Sequence, residues 1–125
     1  MLVRYVAAHV LLNLLTFSLQ KNIIDMLKHI VIFRLKDDIE PSKKTEVMNA
    51  FKSGILALPA VIPTIRQIAV GFNVNADEAS DICLESTFDS LDDVKAYAVN
   101  PHHVAVAAAL KPYVAARSCA DFEVE

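Results

Sequence analysis

Glycine is scarce. The chain holds two glycines in 125 residues, and no Gly-rich segment that could cradle a phosphate. Positive charge is thin as well: twelve Lys and Arg stand against fifteen Asp and Glu, for a formal net charge of −3. Phosphate binding needs clustered cations, and no Lys/Arg cluster exists, so the sequence argues against a nucleic-acid partner. Cysteine occurs twice, at Cys83 and Cys119. Neither has a Cys or His at zinc-finger spacing, so no metal is expected. Both cysteines fall on expected strands and read as buried, reduced thiols, because free cysteine packs as a small hydrophobe. That fits a reducing compartment. No Ser-based triad or Cys-His nucleophile pair is visible.

What is plentiful is apolar surface, at 54% of the chain. Part of it comes from residues 1–25, of which 16 of 25 are apolar. Three readings of this extension stand open. It could be translation from an upstream start, with the protein proper beginning at Met26. It could be an uncleaved apolar helix or anchor, although His9 and Asn13 interrupt the run. It could be a secretory leader, although no small-x-small cleavage site follows Leu19. The expected location is cytoplasmic, with export or anchoring only if residues 1–25 are a genuine leader. Residues 26–125 read as one domain, with no membrane association expected.

Within that domain, Leu27, His29, Val31, Phe33 and Leu35 alternate with Lys28, Ile30, Ile32 and Arg34, which is strand periodicity. Asp37, Asp38 and Glu40 precede Pro41, which suits the first position of a helix. Val47, Phe51, Ile55 and Leu58 form the apolar stripe of that helix, with Met48 beside it. Thr64–Phe72 reads as a second strand, with Gly71 marking a bend or bulge near its end. Ile82–Asp89 reads as a third strand. Ser90 is a hydroxyl N-cap, followed by Asp92 and Asp93, which suit a helix dipole. Asn100-Pro101 breaks this helix, because proline disfavours helical geometry in the residue before it. A second short helix then runs His102–Leu110. Val114–Val124 reads as the last strand, with Arg117, Cys119, Asp121 and Glu123 alternating against Ser118, Ala120, Phe122 and Val124.

The order β-α-β-β-α-β predicts an α+β, ferredoxin-like fold with a four-stranded antiparallel sheet. Helices would cover one face of it. The other face, expected to be rich in Ile, Val and Phe, would pack against a second copy to make a dimeric α/β barrel. The expected partner is therefore the same chain, through the open sheet face.

The chemistry-bearing segment is Tyr97-Ala98-Val99-Asn100-Pro101-His102-His103. It sets a phenol and an imidazole six positions apart across a helix break, and holds two of the four histidines. Tyr and His are the side chains of a cofactor-free acid/base site. Imidazole titrates near working pH without much tuning. The plainer reading is that His103 caps backbone carbonyls at the helix junction. His29 sits on the first strand beside Val31 and Phe33, either as a core histidine with a partner or facing His103 across a pocket. His102 is expected to face solvent, about 100° round the helix from His103. Arg66 and Arg117 read as ion-pair partners, on the surface or between sheets.

These segments resemble the stress-responsive A/B barrel (Dabb) family. Met26–Lys36 is similar to its opening strand. Gly71-Phe72-Asn73 fits its glycine-containing turn. Tyr97–His103 fits its Tyr-x-x-His-Pro-x-His signature, with Asn100 in place of the first histidine. The resemblance implies a dimer in which two ferredoxin-like sheets form one barrel. Most members have no assigned reaction, but one group, similar to plant olivetolic acid cyclase, closes a polyketide chain by aldol chemistry without a cofactor. By that resemblance His103 is the base, Tyr97 assists, and His29 is a pocket-wall histidine. Phe33 and Asn100 complete the expected ligand wall. Asn100 cannot titrate as histidine would, and the third strand lacks the histidine those cyclases carry. The expected function is thus a homodimer of unassigned activity binding a small organic ligand beside Tyr97 and His103. The alternative is a cofactor-free cyclase, lyase or isomerase acting on a carbonyl compound.

Overall fold

The computed structural model describes residues 26–124. The readings of residues 1–25 lie outside them. Four strands and three α-helices follow in order: β1 (Leu27–Leu35), α1 (Pro41–Leu56), β2 (Gln67–Phe72), β3 (Ile82–Phe88), α2 (Leu91–Val99), α3 (Pro101–Leu110) and β4 (Val114–Glu123). The strands form one antiparallel sheet in the order β2-β3-β1-β4. This is the expected ferredoxin-like arrangement, with β1 and β3 central. No helix among the described residues is long and apolar enough to cross a membrane.

Alternation decides the two faces of the sheet. On β1, Leu27, His29, Val31 and Leu35 are buried under the helices; on β3, Ile82, Leu84, Ser86 and Phe88 are. From above, α1 adds Phe51 and Ile55, α2 adds Val94 and Tyr97, and α3 adds Leu110. The predicted stripe of α1 is therefore the buried face. Its last member, Leu58, is buried in a 3-10 turn, Leu58–Ala60, that follows the helix. Gly54 lets α3 approach α1 closely, since a Cβ there would lie 3.0 Å from Cγ1 of Val106.

The helix junction follows from the sequence. Ser90 Oγ accepts a hydrogen bond from Asp93 N at 3.2 Å and caps α2. Asn100 has φ −63° and ψ 132°, the extended geometry that the residue before proline favours. One residue thus ends α2 and begins α3. Its Oδ1 accepts from His102 N at 3.0 Å, a side-chain N-cap.

Several local expectations are corrected. β2 begins at Gln67, not Thr64, because Ile65 N still donates to Ile62 O in the preceding turn. Gly71 makes neither bend nor bulge: it pairs in register with Cys83 and has no positive φ. The register shift lies instead between β1 and β4 at Arg34/Leu35. The cysteines are both free and both exposed, not buried. Cys83 points to the uncovered face of the sheet, and Cys119 sits on the edge strand β4, beyond the helices. The uncovered face carries Ile30, Ile32 and Phe122, but no valine. Small residues such as Ala69, Gly71, Ala116 and Ala120 share it with polar and charged ones, among them the Lys28–Glu85 ion pair, Arg34 and Gln67, and every valine of the sheet belongs to the helix side or the strand ends.

Candidate functional site

Between the sheet and the α2–α3 corner lies a cavity of about 650 Å³. It falls within the usual size range of small-molecule sites, roughly 300–1,000 Å³. His29, Val31 and Phe33 of β1 form its floor, and Tyr97, His103 and Leu110 are among its walls.

The structure brings Tyr97 and His103 together. Their ring centroids are 4.2 Å apart, with the planes tilted by 42°. His29 is the third member, its ring 6.0 Å from that of Tyr97 in an edge arrangement. Phe33 lines the same cavity and packs edge-on against Phe51 at 5.5 Å. Asn100, expected on the ligand wall, is not among the lining residues; its side chain is committed to the cap of α3. His102 is exposed, as its helical position requires.

Tyr97 is 1% exposed, and among the described residues its hydroxyl has no hydrogen-bond partner. Burial pushes the phenol pKa up to about 12. It is therefore a neutral donor held in an apolar setting, poised for an acceptor such as a carbonyl oxygen. A buried hydroxyl without a partner costs about 1–3 kcal/mol, a penalty that an arriving acceptor would relieve.

His103 is half-buried. Its Nδ1 lies 3.1 Å from the carbonyl oxygen of Ala98. A carbonyl only accepts, so Nδ1 carries the hydrogen in the neutral ring and Nε2 holds the lone pair. The capping role and the base role are thus compatible, one on each nitrogen. The histidine pKa is lowered, chiefly by burial; the Ala98 hydrogen bond opposes this, and the nearby His29 and Arg117 add to it. The ring accordingly stays neutral, and able to accept a proton, at a lower pH than an ordinary histidine.

His29 is 7% exposed and is held through Nδ1 by Asp121 Oδ1 at 2.5 Å. The partner expected of a buried histidine exists, and it comes from β4. Cys119 Sγ lies 3.6 Å from the same nitrogen. Two further cavity residues had no signal pointing to the site, Lys111 and Arg117. Arg117 was expected as a surface or intersheet ion-pair residue, whereas Arg66 does make a surface pair, through two nitrogens with Asp89. Asp121 and Cys119 were visible only as one face of the last strand. They reach His29 through the β1–β4 register, in which Asp121 stands opposite His29.

An antiparallel α+β sheet with one bare face, and a Tyr/His cavity under its helices, defines the class: ferredoxin-like proteins with a small-molecule-sized pocket. The chain belongs to the Stress responsive A/B Barrel Domain (Dabb) family, whose pattern it matches over residues 27–124. It is 28% identical over 80 residues to olivetolic acid cyclase of Cannabis sativa, covering 62% of this chain and 75% of that one. Among solved structures it is similar to a dimeric ferredoxin-like protein of unknown function from Bacteroides fragilis, at 50% identity and a TM-score of 0.78, covering 80% of this chain and 97% of that one. A second dimeric ferredoxin-like protein, from Thermobifida fusca, matches at 29% identity and a TM-score of 0.65, covering 79% and 91%.

Proposed function

We propose that this chain is a homodimer in which each subunit binds a small, largely apolar organic molecule bearing a carbonyl or similar acceptor. The observation that carries the reading is the cavity of about 650 Å³ beside His103, in which a buried phenol lacks a partner. Aliphatic and aromatic walls supply the hydrophobic term, worth about 25 cal/mol per Å² of apolar surface removed from water. The Tyr97 hydroxyl orients the ligand by donating to its acceptor atom, and His29, Phe33 and His103 flank it. The dimer would form through the uncovered sheet face, as Ile30, Ile32 and Phe122 there and the dimeric relatives both favour. Two free thiols fit a cytoplasmic setting.

A second reading is favoured by the state of His103. A neutral imidazole with a bound Nδ1–H and a free Nε2 lone pair is a general base. With Tyr97 donating to the carbonyl oxygen, His103 would remove a proton from the carbon next to it. The enolate would be held by the Tyr97 hydrogen bond; its carbon would then add to a second carbonyl, whose opened C=O becomes an alkoxide that takes the proton back from His103, or the proton would return to carbon. This is cofactor-free cyclase, lyase or isomerase chemistry, the kind suggested by the likeness to olivetolic acid cyclase.

The test is thermal-shift and calorimetric binding with a panel of aromatic and polyketide-like carbonyl compounds. It uses the wild type and Ala107→Trp, which fills the cavity from its wall. Binding by the wild type that Ala107→Trp loses, with its melting transition retained, supports the ligand reading. Equal binding by both overturns it. Turnover of a bound compound by the wild type but not by His103→Gln supports the second reading.

A further inference from the structure

Apart from the Tyr97–His103 pair, three side chains converge at the edge of the sheet. His29 of β1 and Cys119 and Asp121 of β4 each direct a donor atom to one point, and all three atoms lie within 4.8 Å of one another. The register explains how residues some 90 positions apart meet. Asp121 stands opposite His29, Cys119 stands opposite Val31, and the two-residue spacing on β4 puts both on the helix side of the sheet.

The distances distinguish what such a cluster can do. In a Cys-His-Asp nucleophilic relay the acid and the thiol meet opposite nitrogens of the imidazole. Here Asp121 Oδ1, at 2.5 Å, and Cys119 Sγ, at 3.6 Å, face the same nitrogen, Nδ1. That geometry cannot relay a proton through the ring, but it gathers three donor atoms at one point, as ligands of a single ion require. Metal–nitrogen and metal–sulfur bonds of about 2.0 and 2.3 Å at a tetrahedral angle put N and S about 3.5 Å apart. The observed separation of Cys119 and His29 already meets this. The carboxylate would need to move out by just under about 1 Å to reach the corresponding N–O separation. Asp121 can do so, because its side chain is 30% exposed on an edge strand.

We propose that His29 Nδ1, Cys119 Sγ and Asp121 Oδ1 form a binding site for a divalent transition metal of the zinc type. The donor set mixes imidazole, thiolate and carboxylate, which suits Zn²⁺ or Co²⁺ over Mg²⁺ or Ca²⁺, whose ligands are oxygens. Binding at Nδ1 places the hydrogen of the neutral His29 ring on Nε2 and releases the Cys119 thiol proton to solvent, so the ion meets an imidazole lone pair, a thiolate and a carboxylate. Three protein ligands leave a fourth position for water or another small donor. His29 also lines the cavity, so the ion would sit at the cavity's border. The inference uses neither Tyr97 nor His103, and stands or falls separately from the ligand reading.

The test is titration of reduced, tag-free protein with CoCl₂, followed by ZnCl₂, watched by absorption. The expected result is one Co²⁺ per chain, with a near-ultraviolet thiolate-to-cobalt charge-transfer band and the visible bands of a tetrahedral site, both bleached by Zn²⁺. Cys119→Ser, on the exposed edge strand, should lose the charge-transfer band while keeping the circular dichroism of the fold. Cys83→Ser should keep the band, and Asp121→Ala should bind Co²⁺ more weakly. The proposal is overturned if the wild type shows no thiolate band, if the band survives Cys119→Ser, or if it vanishes in Cys83→Ser instead.

Discussion

The rings of Tyr97 and His103 stand 4.2 Å apart although they belong to different helices. The Asn100-Pro101 break turns the chain between them. It lets α2 deliver a phenol, and α3 an imidazole, to one end of the same cavity. A continuous helix would place residues six positions apart on diverging directions, about 600° of rotation from one another.

The Tyr97 hydroxyl makes the first prediction. Because it has no partner among the described residues, Tyr97→Phe should leave stability unchanged or raise it by about 1 kcal/mol. The same change should weaken the binding of carbonyl ligands and abolish any turnover. Urea unfolding beside ligand titration checks both. A loss of more than about 1 kcal/mol would show that the hydroxyl has a structural partner after all.

The state of His103 fixes the sign of a pH effect. Its pKa is lowered in the folded protein, while the unfolded chain takes up the proton near the ordinary value of 6.5. The stabilisation from the neutral ring is therefore complete above that value. It declines as pH falls from there through the lower folded value, since the unfolded state binds more protons in this window. Comparing wild type and His103→Gln by melting temperature across that range should show the difference narrowing toward acid. Any turnover should persist to a lower pH than an ordinary histidine base allows. His103→Gln should reduce it by roughly 10²–10⁴.

Asn100 separates a structural from a ligand-contacting role. Its side chain caps α3, so Asn100→Ala should cost about 1 kcal/mol, and Asn100→Asp should recover most of that. Ligand affinity should match the wild type in both, because Asn100 does not line the cavity. Calorimetric titration of a cavity ligand against the two variants decides it. A selective loss of affinity in Asn100→Asp would place the side chain against the ligand.

The dimer is tested on the uncovered face. Ile32 lies there, 37% exposed on the central strand β1. Ile32→Glu would bury a carboxylate between two sheets, which costs several kcal/mol unless the charge is paired. Light scattering should report a dimer for wild type and a folded monomer for Ile32→Glu. A wild-type monomer at micromolar concentration would refute the shared barrel.

Much of this was legible in the chain itself. Period-two alternation identified β1, β3 and β4. Ser90 and Pro41 marked helix starts, and Asn100-Pro101 marked the break, because each is a local backbone effect. Gly71 misled, since a glycine in a strand signals a bulge only when the backbone uses its freedom, and here φ stays negative. The cysteines misled for a different reason. Alternation says which residues share a face, but not which face the helices cover or where the sheet ends, and those decide whether a thiol is buried.

The sequence by itself determined the elements, their order, the Tyr97–His103 pair and the kinship with the Dabb family, all of which rest on local spacing. Only the tertiary structure decided what meets His29. The β1–β4 register sets Asp121 opposite it and brings Cys119 to the same nitrogen, across some 90 residues of chain. The packing of α3 on Gly54 and the free space beneath it decided that the pair borders a cavity rather than a filled core. Pairing register and packing volume depend on contacts between distant segments, and no local periodicity encodes them.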